Sequence, residues 1–306
     1  VTLPETTSPS RAGTAAAPDT TAAGATASVP AVVGVLGGGR MGAGIAHAFL
    51  LAGARVHVVE RDGAAAAQAR ERVETALTRS AERGTRIPDA DTLTTGVDAE
   101  AFAEAGLVIE AVPEDRDLKL DALTRIERAV RGDAVVASNT SSISIDALAA
   151  SLARPDRFLG LHFFNPVPAS ALVEVVTGDA TTAAVVTRAT QWVEAIGKTA
   201  VVVRDAPGFA SSRLGVALGL EAIRMLEEGV ATAHDIDTAM ELGYRHPMGP
   251  LRTTDIVGLD VRLGIAEELE RAFGVRFTPP ALLRDLVAQG HLGRKTGRGF
   301  YEWSAS

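Results

Sequence analysis

AVVGVLGGGRMGAGIAHAFLLAG, residues 31–53, decides the fold. It opens on a continuous, β-branched apolar run, the pattern of a strand buried on both faces. Gly37, Gly39 and Gly42 follow in a G-x-G-x-x-G spacing, and an Ala- and Leu-rich helix comes next. The spacing is weak alone. Between a buried strand and a helix it has a mechanism. The first glycine permits a tight turn, and the second lets the backbone approach a pyrophosphate. The third lets helix and strand pack closely, and the helix N-terminus faces the anion. Arg40 and Met41, between the last two glycines, belong to the same cradle.

The next strand, ARVHVVE, ends at Glu60. A carboxylate there accepts hydrogen bonds from ribose hydroxyls and repels a 2′-phosphate, which predicts NAD rather than NADP. Arg61 keeps NADP open, because a guanidinium could hold that phosphate. Strand and helix patterns then alternate through GAAAAQARERVETALTRSAERG, GLVIEAVP, DLKLDALTRIERAV, AVVASNTS and SIDALAASL. RFLGLHFFNP and ALVEVVTG read as two strands joined by a short Pro-containing loop. A helix and a last strand, KTAVVVRD, follow. The alternation predicts a mostly parallel, doubly wound Rossmann-type α/β sheet, with antiparallel strands allowed at one edge.

After DAPGF the pattern is helical: RLGVALGLEAIRMLEEG, AHDIDTAMELG, DIVGLDVRLGIAEELERAFG and PALLRDLVAQG. This predicts a nucleotide-binding domain over 31–205 and an all-α substrate and dimerisation domain over 206–306. The helix at 213–228 carries apolar residues on more than one face, which suggests burial against a second copy. Residues 1–30 are Ala, Thr, Pro, Ser and Gly with almost no large apolar side chain, so a disordered tail is expected.

The sequence carries 38 acidic against 30 basic residues, a formal net charge of −8, which argues against nucleic acid or an anionic membrane as partner. There is no cysteine, so thiolate catalysis, disulfides and cysteine-ligated metal are excluded. No metal site is expected. No run of about 18 apolar residues suggests a membrane span. No charged-then-apolar segment suggests a secretory leader, so the cytoplasm is the expected compartment.

Of six histidines, only His162 falls at the C-terminal end of a sheet strand in the nucleotide half, where open α/β sheets bind ligands. Glu174 sits among apolar neighbours on the next strand, where an unpaired carboxylate would be costly. A hairpin could place it beside His162, fixing one tautomer and leaving the other nitrogen to take a proton from an alcohol. Spacing alone leaves a purely structural buried pair open.

GGGRMGAGIA, VIEAVPEDRDLK, ASNTSS, LGLHFFNPVP, VEVV, DAPGF, DIDTAMELG, HPMGPL, DIVGLD and GRKTGRGFYEW together resemble the L-3-hydroxyacyl-CoA dehydrogenases, in order over about 32–303. The resemblance implies NAD as cofactor, an acyl-CoA substrate and a homodimer. It implies His162 as base and acid, Glu174 as its orienting partner, and Ser141 as the contact to the substrate hydroxyl near the nicotinamide. Asn165 matches a nicotinamide-side contact. Glu114, Lys119 and Lys295 match cofactor contacts, and Lys119 a substrate contact as well. Only three lysines occur in the chain, and two of them stand at these positions. Two departures bear on the substrate. PGFASSR places Ser212 where the family often has an Asn near the substrate. Within a helical hairpin at 63–100, Arg83 aligns with a CoA-phosphate lysine. The resemblance implies oxidation of L-3-hydroxyacyl-CoA, with short chains as the expectation. A gulonate-type dehydrogenase of a free hydroxy acid, and a non-catalytic dinucleotide-binding protein, are the alternatives.

Overall fold

The computed structural model describes residues 28–304. Of the tail expected at 1–30, residues 1–27 lie outside the described residues. Val29 packs against the sheet core, and the Pro30 ring lies beside Gly106. The nucleotide half runs β1 Val32–Leu36, α1 Arg40–Leu51, β2 Arg55–Val59, α2 Gly63–Glu82, β3 Leu93–Gly96, β4 Leu107–Glu110 and α3 Arg116–Ala129. It continues with β5 Val135–Ser138, α4 Ile145–Ala149, β6 Phe158–Phe163, β7 Leu172–Thr177, α5 Ala183–Ala195 and β8 Thr199–Arg204. The helical half contains α6 Ser211–Glu227, α7 Ala233–Gly243, α8 Pro250–Val257, α9 Leu259–Phe273 and α10 Ala281–Ala288.

The strands form one sheet in the order β3-β2-β1-β4-β5-β6-β7-β8. The order reverses direction between β1 and β4, and the crevice at such a switch point is where these sheets take ligands. All neighbours are parallel except β6 and β7. The link between β6 and β7 is too short for a crossover helix, so the chain must reverse. It returns to parallel at β8 because α5 supplies a crossover. β1, β4, β5 and β6 are buried throughout, as continuous apolar runs require. Helix starts are set locally: Asp62 accepts from the Ala65 N–H (2.7 Å), and Asp115 from that of Leu118 (3.0 Å). No helix among the described residues is long and apolar enough to cross a membrane.

Two elements differ from the sequence reading. The expected helical hairpin over 63–100 is one helix, α2, followed by a loop and the edge strand β3. β3 is four residues with one buried apolar side chain, Leu93, so periodicity cannot reveal it. Its form comes from pairing with β2. DIVGLDVRLGIAEELERAFG is two helices, not one. Gly258, at φ +107, breaks the chain between α8 and α9, a conformation L side chains rarely adopt.

Candidate active site

The glycine turn closes where β1 meets α1. Gly37 has φ +97, and its N–H donates to the Val59 carbonyl at 2.8 Å. A Cβ on Gly42 would land on the Gly37 carbonyl oxygen, while one on Gly39 would meet nothing within 4 Å. The third glycine is therefore needed for packing, and the second leaves its outer side open to a ligand. Glu60 Oε1 accepts from the Gly38 N–H at 2.7 Å, which holds the carboxylate at the mouth of the turn. Arg61 turns its guanidinium to Asp62, at 3.1 Å. These residues fit a dinucleotide: a cradle that side chains would fill, with a carboxylate at the ribose end.

From this turn a cavity of about 980 Å³ runs along the carboxyl ends of the strands. Arg40, Met41, Glu60, Glu114, Ser141, His162 and Asn165 all line it. The cofactor cradle and the histidine singled out from the sequence thus share one cleft.

The antiparallel register pairs His162 directly with Glu174. Imidazole Nδ1 lies 2.7 Å from Glu174 Oε2. An ionised carboxylate only accepts, so Nδ1 carries the proton and Nε2 is the free nitrogen. The Phe164 and Phe209 rings stand 4.4 and 5.7 Å from the imidazole. Glu174 is 1% exposed yet fully engaged. Its Oε1 accepts from the N–H groups of Ala210 (3.1 Å) and Ser211 (2.8 Å), and its Oε2 also takes Ser211 Oγ (2.9 Å). Burial pushes this carboxyl up, but the bonds from His162 and Ser211 outweigh it and hold it below the ordinary carboxylate range. Ser211, which sequence reasoning missed, therefore touches the His–Glu pair. Ser212 does not line the cleft. The two serines are adjacent, and one step around a helix turns the side chain by about 100°.

A second carboxylate shapes the opposite wall. Glu114 Oε1 accepts from Thr140 Oγ1 (2.6 Å), from the N–H groups of Ser141 (2.9 Å) and Ser142 (3.1 Å), and from both serine hydroxyls. Its Oε2 lies 3.3 Å from Lys119 Nζ. Burial pushes Glu114 up, and the Lys119 charge with the Thr140 and Ser141 bonds overcomes it, leaving the group lowered. Lys119 is 1% exposed and bonds to Glu110 at 2.8 and 3.1 Å and to the Val112 carbonyl at 3.3 Å. Ser138 Oγ and the Val112 N–H complete the Glu110 carboxylate. Lys119 also lines the cleft, and its ammonium bridges Glu110 and Glu114.

Two further expected residues, like Ser212, do not line this cleft. Lys295 pairs with Asp260 at 2.6 Å within the helical half. Arg83 ends α2 and lines a separate cavity of about 340 Å³ with His47, Ser80, Pro168 and Lys198. Lys198, unremarked in the sequence, donates to the carbonyls of Val167 (2.6 Å) and Ser170 (2.5 Å), on the loop joining β6 to β7. Burial, then the Arg83 and Lys198 charges, lowers the affinity of His47 for a proton.

Residues 32–206 match the family described as 3-hydroxyacyl-CoA dehydrogenase, NAD binding domain, and residues 208–303 match the C-terminal domain of the same family. The chain belongs to the 3-hydroxyacyl-CoA dehydrogenase family. A 3-hydroxybutyryl-CoA dehydrogenase of Mycobacterium tuberculosis is 42% identical over 280 residues, which make up 89% of this chain and 98% of the relative. A probable 3-hydroxybutyryl-CoA dehydrogenase of Deinococcus radiodurans is 40% identical over 276 residues, 88% of this chain and 99% of the relative. The crystal structure of (S)-3-hydroxybutyryl-CoA dehydrogenase from Ralstonia eutropha superposes with a TM-score of 0.85 at 38% identity, covering 90% of this chain and all of that one. This 3-hydroxyacyl-CoA dehydrogenase family member is accordingly an NAD-dependent oxidoreductase acting on a CH–OH group.

Proposed function

We propose that the protein interconverts a short-chain L-3-hydroxyacyl-CoA, such as 3-hydroxybutyryl-CoA, and its 3-keto counterpart, with His162 as general base and acid. The observation that carries this reading is the 2.7 Å contact between His162 Nδ1 and Glu174 at the wall of the cleft that begins at the glycine turn. Bound NAD supplies the acceptor for the hydride leaving C3. Gly37, Gly39, Arg40, Met41, Gly42 and Glu60 hold its pyrophosphate and adenosine ribose, with Asn165 and the Ser141 loop towards the nicotinamide.

His162 Nε2 takes the hydroxyl proton as the carbonyl forms. Glu174, kept ionised by Ser211 and two backbone N–H groups, stabilises the imidazolium. Ser141 positions the alcohol oxygen, and Glu114 positions Ser141 by binding its N–H and hydroxyl together. Phe164 and Phe209 keep water from the imidazole. In the reverse direction the imidazolium returns the proton to the ketone oxygen.

The cavity beside Arg83, Lys198 and His47 takes the CoA phosphates. Two cations and no carboxylate line it, and Lys198, just before β8, holds the Val167 and Ser170 carbonyls of the loop that follows Asn165. The division of labour is a nucleotide half over 31–205 and a substrate half over 206–306. A homodimer forms through that substrate half, where Leu214, Leu242 and Tyr244 are each at least 70% exposed. A cytoplasmic location fits this chemistry. The test is NADH consumption with acetoacetyl-CoA. Steady turnover that collapses in His162→Gln supports the reading. No NADH consumption by the wild-type protein would overturn it.

A further inference from the structure

α1 sends one titratable side chain to the second cavity. His47 is 3% exposed, and it lines that space of about 340 Å³ together with Ser80, Arg83 and Lys198. Its Nε2 lies 2.9 Å from Ser80 Oγ, and Arg83 donates to the same oxygen at 3.4 Å. Ser80 is as deeply buried as the imidazole. Gly44, about one turn earlier on the same face of α1, touches the β6–β7 loop. A Cβ on it would come within 2.8 Å of the Val167 side chain, and Lys198 holds the Val167 carbonyl. The imidazole therefore stands where α1, α2 and the loop that follows Asn165 meet.

The charges that face His47 are both positive. α2 supplies Arg83, and the residue before β8 supplies Lys198; among the described residues no carboxylate lines the cavity. Burial first, and then these two charges, lowers the affinity of the imidazole for a proton, and the opposing Ala76 backbone is outweighed. Burial alone lowers that of Lys198. A phosphate beside Arg83 and Lys198 would cancel their repulsion and itself favour the imidazolium. The neutral ring can accept the Ser80 hydroxyl hydrogen at Nε2. A protonated Nε2 only donates, so Ser80 must then turn its hydrogen elsewhere, and the cavity is the open side.

We infer that His47 and Ser80 form a proton-linked phosphate contact: entry of the CoA phosphates draws a solvent proton onto Nε2, and the Ser80 hydroxyl then donates to a phosphate oxygen. This rests on the placing of CoA proposed above. By reciprocity, the factor by which the anion strengthens proton binding is the factor by which the proton strengthens anion binding. Capture of acyl-CoA therefore tightens as the pH falls below about 7.

The experiment is calorimetric titration of the enzyme with coenzyme A at neutral pH, in PIPES and in Tris. A proton drawn from the buffer adds the buffer's heat of ionisation, so the difference between the two counts protons. The wild type should take up about half a proton per CoA. Titration of CoA's own phosphate has the opposite sign, because cations that bind it expel its proton. His47→Gln should abolish the uptake, and Ser80→Ala should diminish it. The wild type's advantage in CoA affinity over His47→Gln should grow about threefold or more from pH 8 to pH 6. Zero uptake or net release by the wild type overturns the inference even if no variant folds. So does full uptake by a folded His47→Gln protein. An Arg83→Ala protein with unchanged CoA affinity would instead defeat the placing of CoA in this cavity.

Discussion

Both halves of the molecule bury carboxylates, and their clients differ. In the sheet half, Glu174 takes an imidazole, one hydroxyl and two backbone N–H groups. In the helical half, Asp255 takes the N–H groups of Phe300 and Tyr301 and the indole of Trp303, all at 2.8–2.9 Å. Asp237 takes the N–H groups of Leu251 and Arg252 and the Tyr301 hydroxyl. Burial and Asp237 together push that phenol well above its ordinary range, so it stays a neutral donor. All three carboxylates are at most 3% exposed. The aspartates pin the C-terminal segment to α7 and α8 and accept from backbone, phenol and indole donors. Glu174 instead holds an imidazole, whose second nitrogen can carry a proton to and from a ligand. What a buried carboxylate accepts from, rather than how deeply it lies, separates a machine part from a rivet.

That contrast can be broken by exchange of single groups. His162→Gln should have the largest effect, a loss of about 10²–10⁴-fold in turnover with NADH binding retained, because general base action is worth that much. Stopped-flow NADH absorbance and fluorescence titration read the two quantities separately. Glu174→Gln should follow, with kcat down about tenfold or more, since one charged hydrogen bond to the imidazolium is lost. It should also lower Tm, because Glu174 ties the start of α6 to the sheet. Asp255→Asn reverses the balance. Losing charge-assisted bonds of about 1.5–3 kcal/mol each should lower Tm by several degrees, with kcat of the folded protein unchanged. A large kcat loss there would erase the distinction drawn between the two halves.

Acid should separate the regions more gently. Glu114 and Glu174 are held below their ordinary range when folded. A carboxyl whose folded value is depressed adds stability that is complete above its unfolded value, about 4.3, and lost as pH falls through the folded one. Denaturation midpoints measured from pH 6 downward should therefore fall, and Glu114→Gln should flatten that acid limb. Trp303→Phe should be the mildest change, about 1.5 kcal/mol for one of the three charge-assisted bonds to Asp255.

The sheet was legible because its signals are local. A β-branched run, a glycine turn and an amphipathic helix each announce themselves in successive residues, whereas the switch between β1 and β4 is visible only in how the strands pair. His162 and Glu174 were legible as a pair because a short loop forces a hairpin, and a hairpin aligns opposite residues. β3 was not, since four residues with one buried side chain carry no period. Ser211 was missed because a string of letters does not show rotation about a helix. Lys119 was singled out from the sequence, but its pairing with Glu110 and Glu114 was not, because those partners meet it through space.

By itself the sequence determined the order of strands and helices, the dinucleotide cradle, the family and the imidazole at a strand end. These depend on backbone preferences and side-chain periods that act over a few neighbouring residues. Only the tertiary structure decided that Ser211 steadies Glu174, that Lys295 is tied to Asp260, and that Arg83 shares a cavity with Lys198. Coulomb and hydrogen-bond partners are chosen through space, by packing between segments tens of residues apart, and no local pattern records that choice.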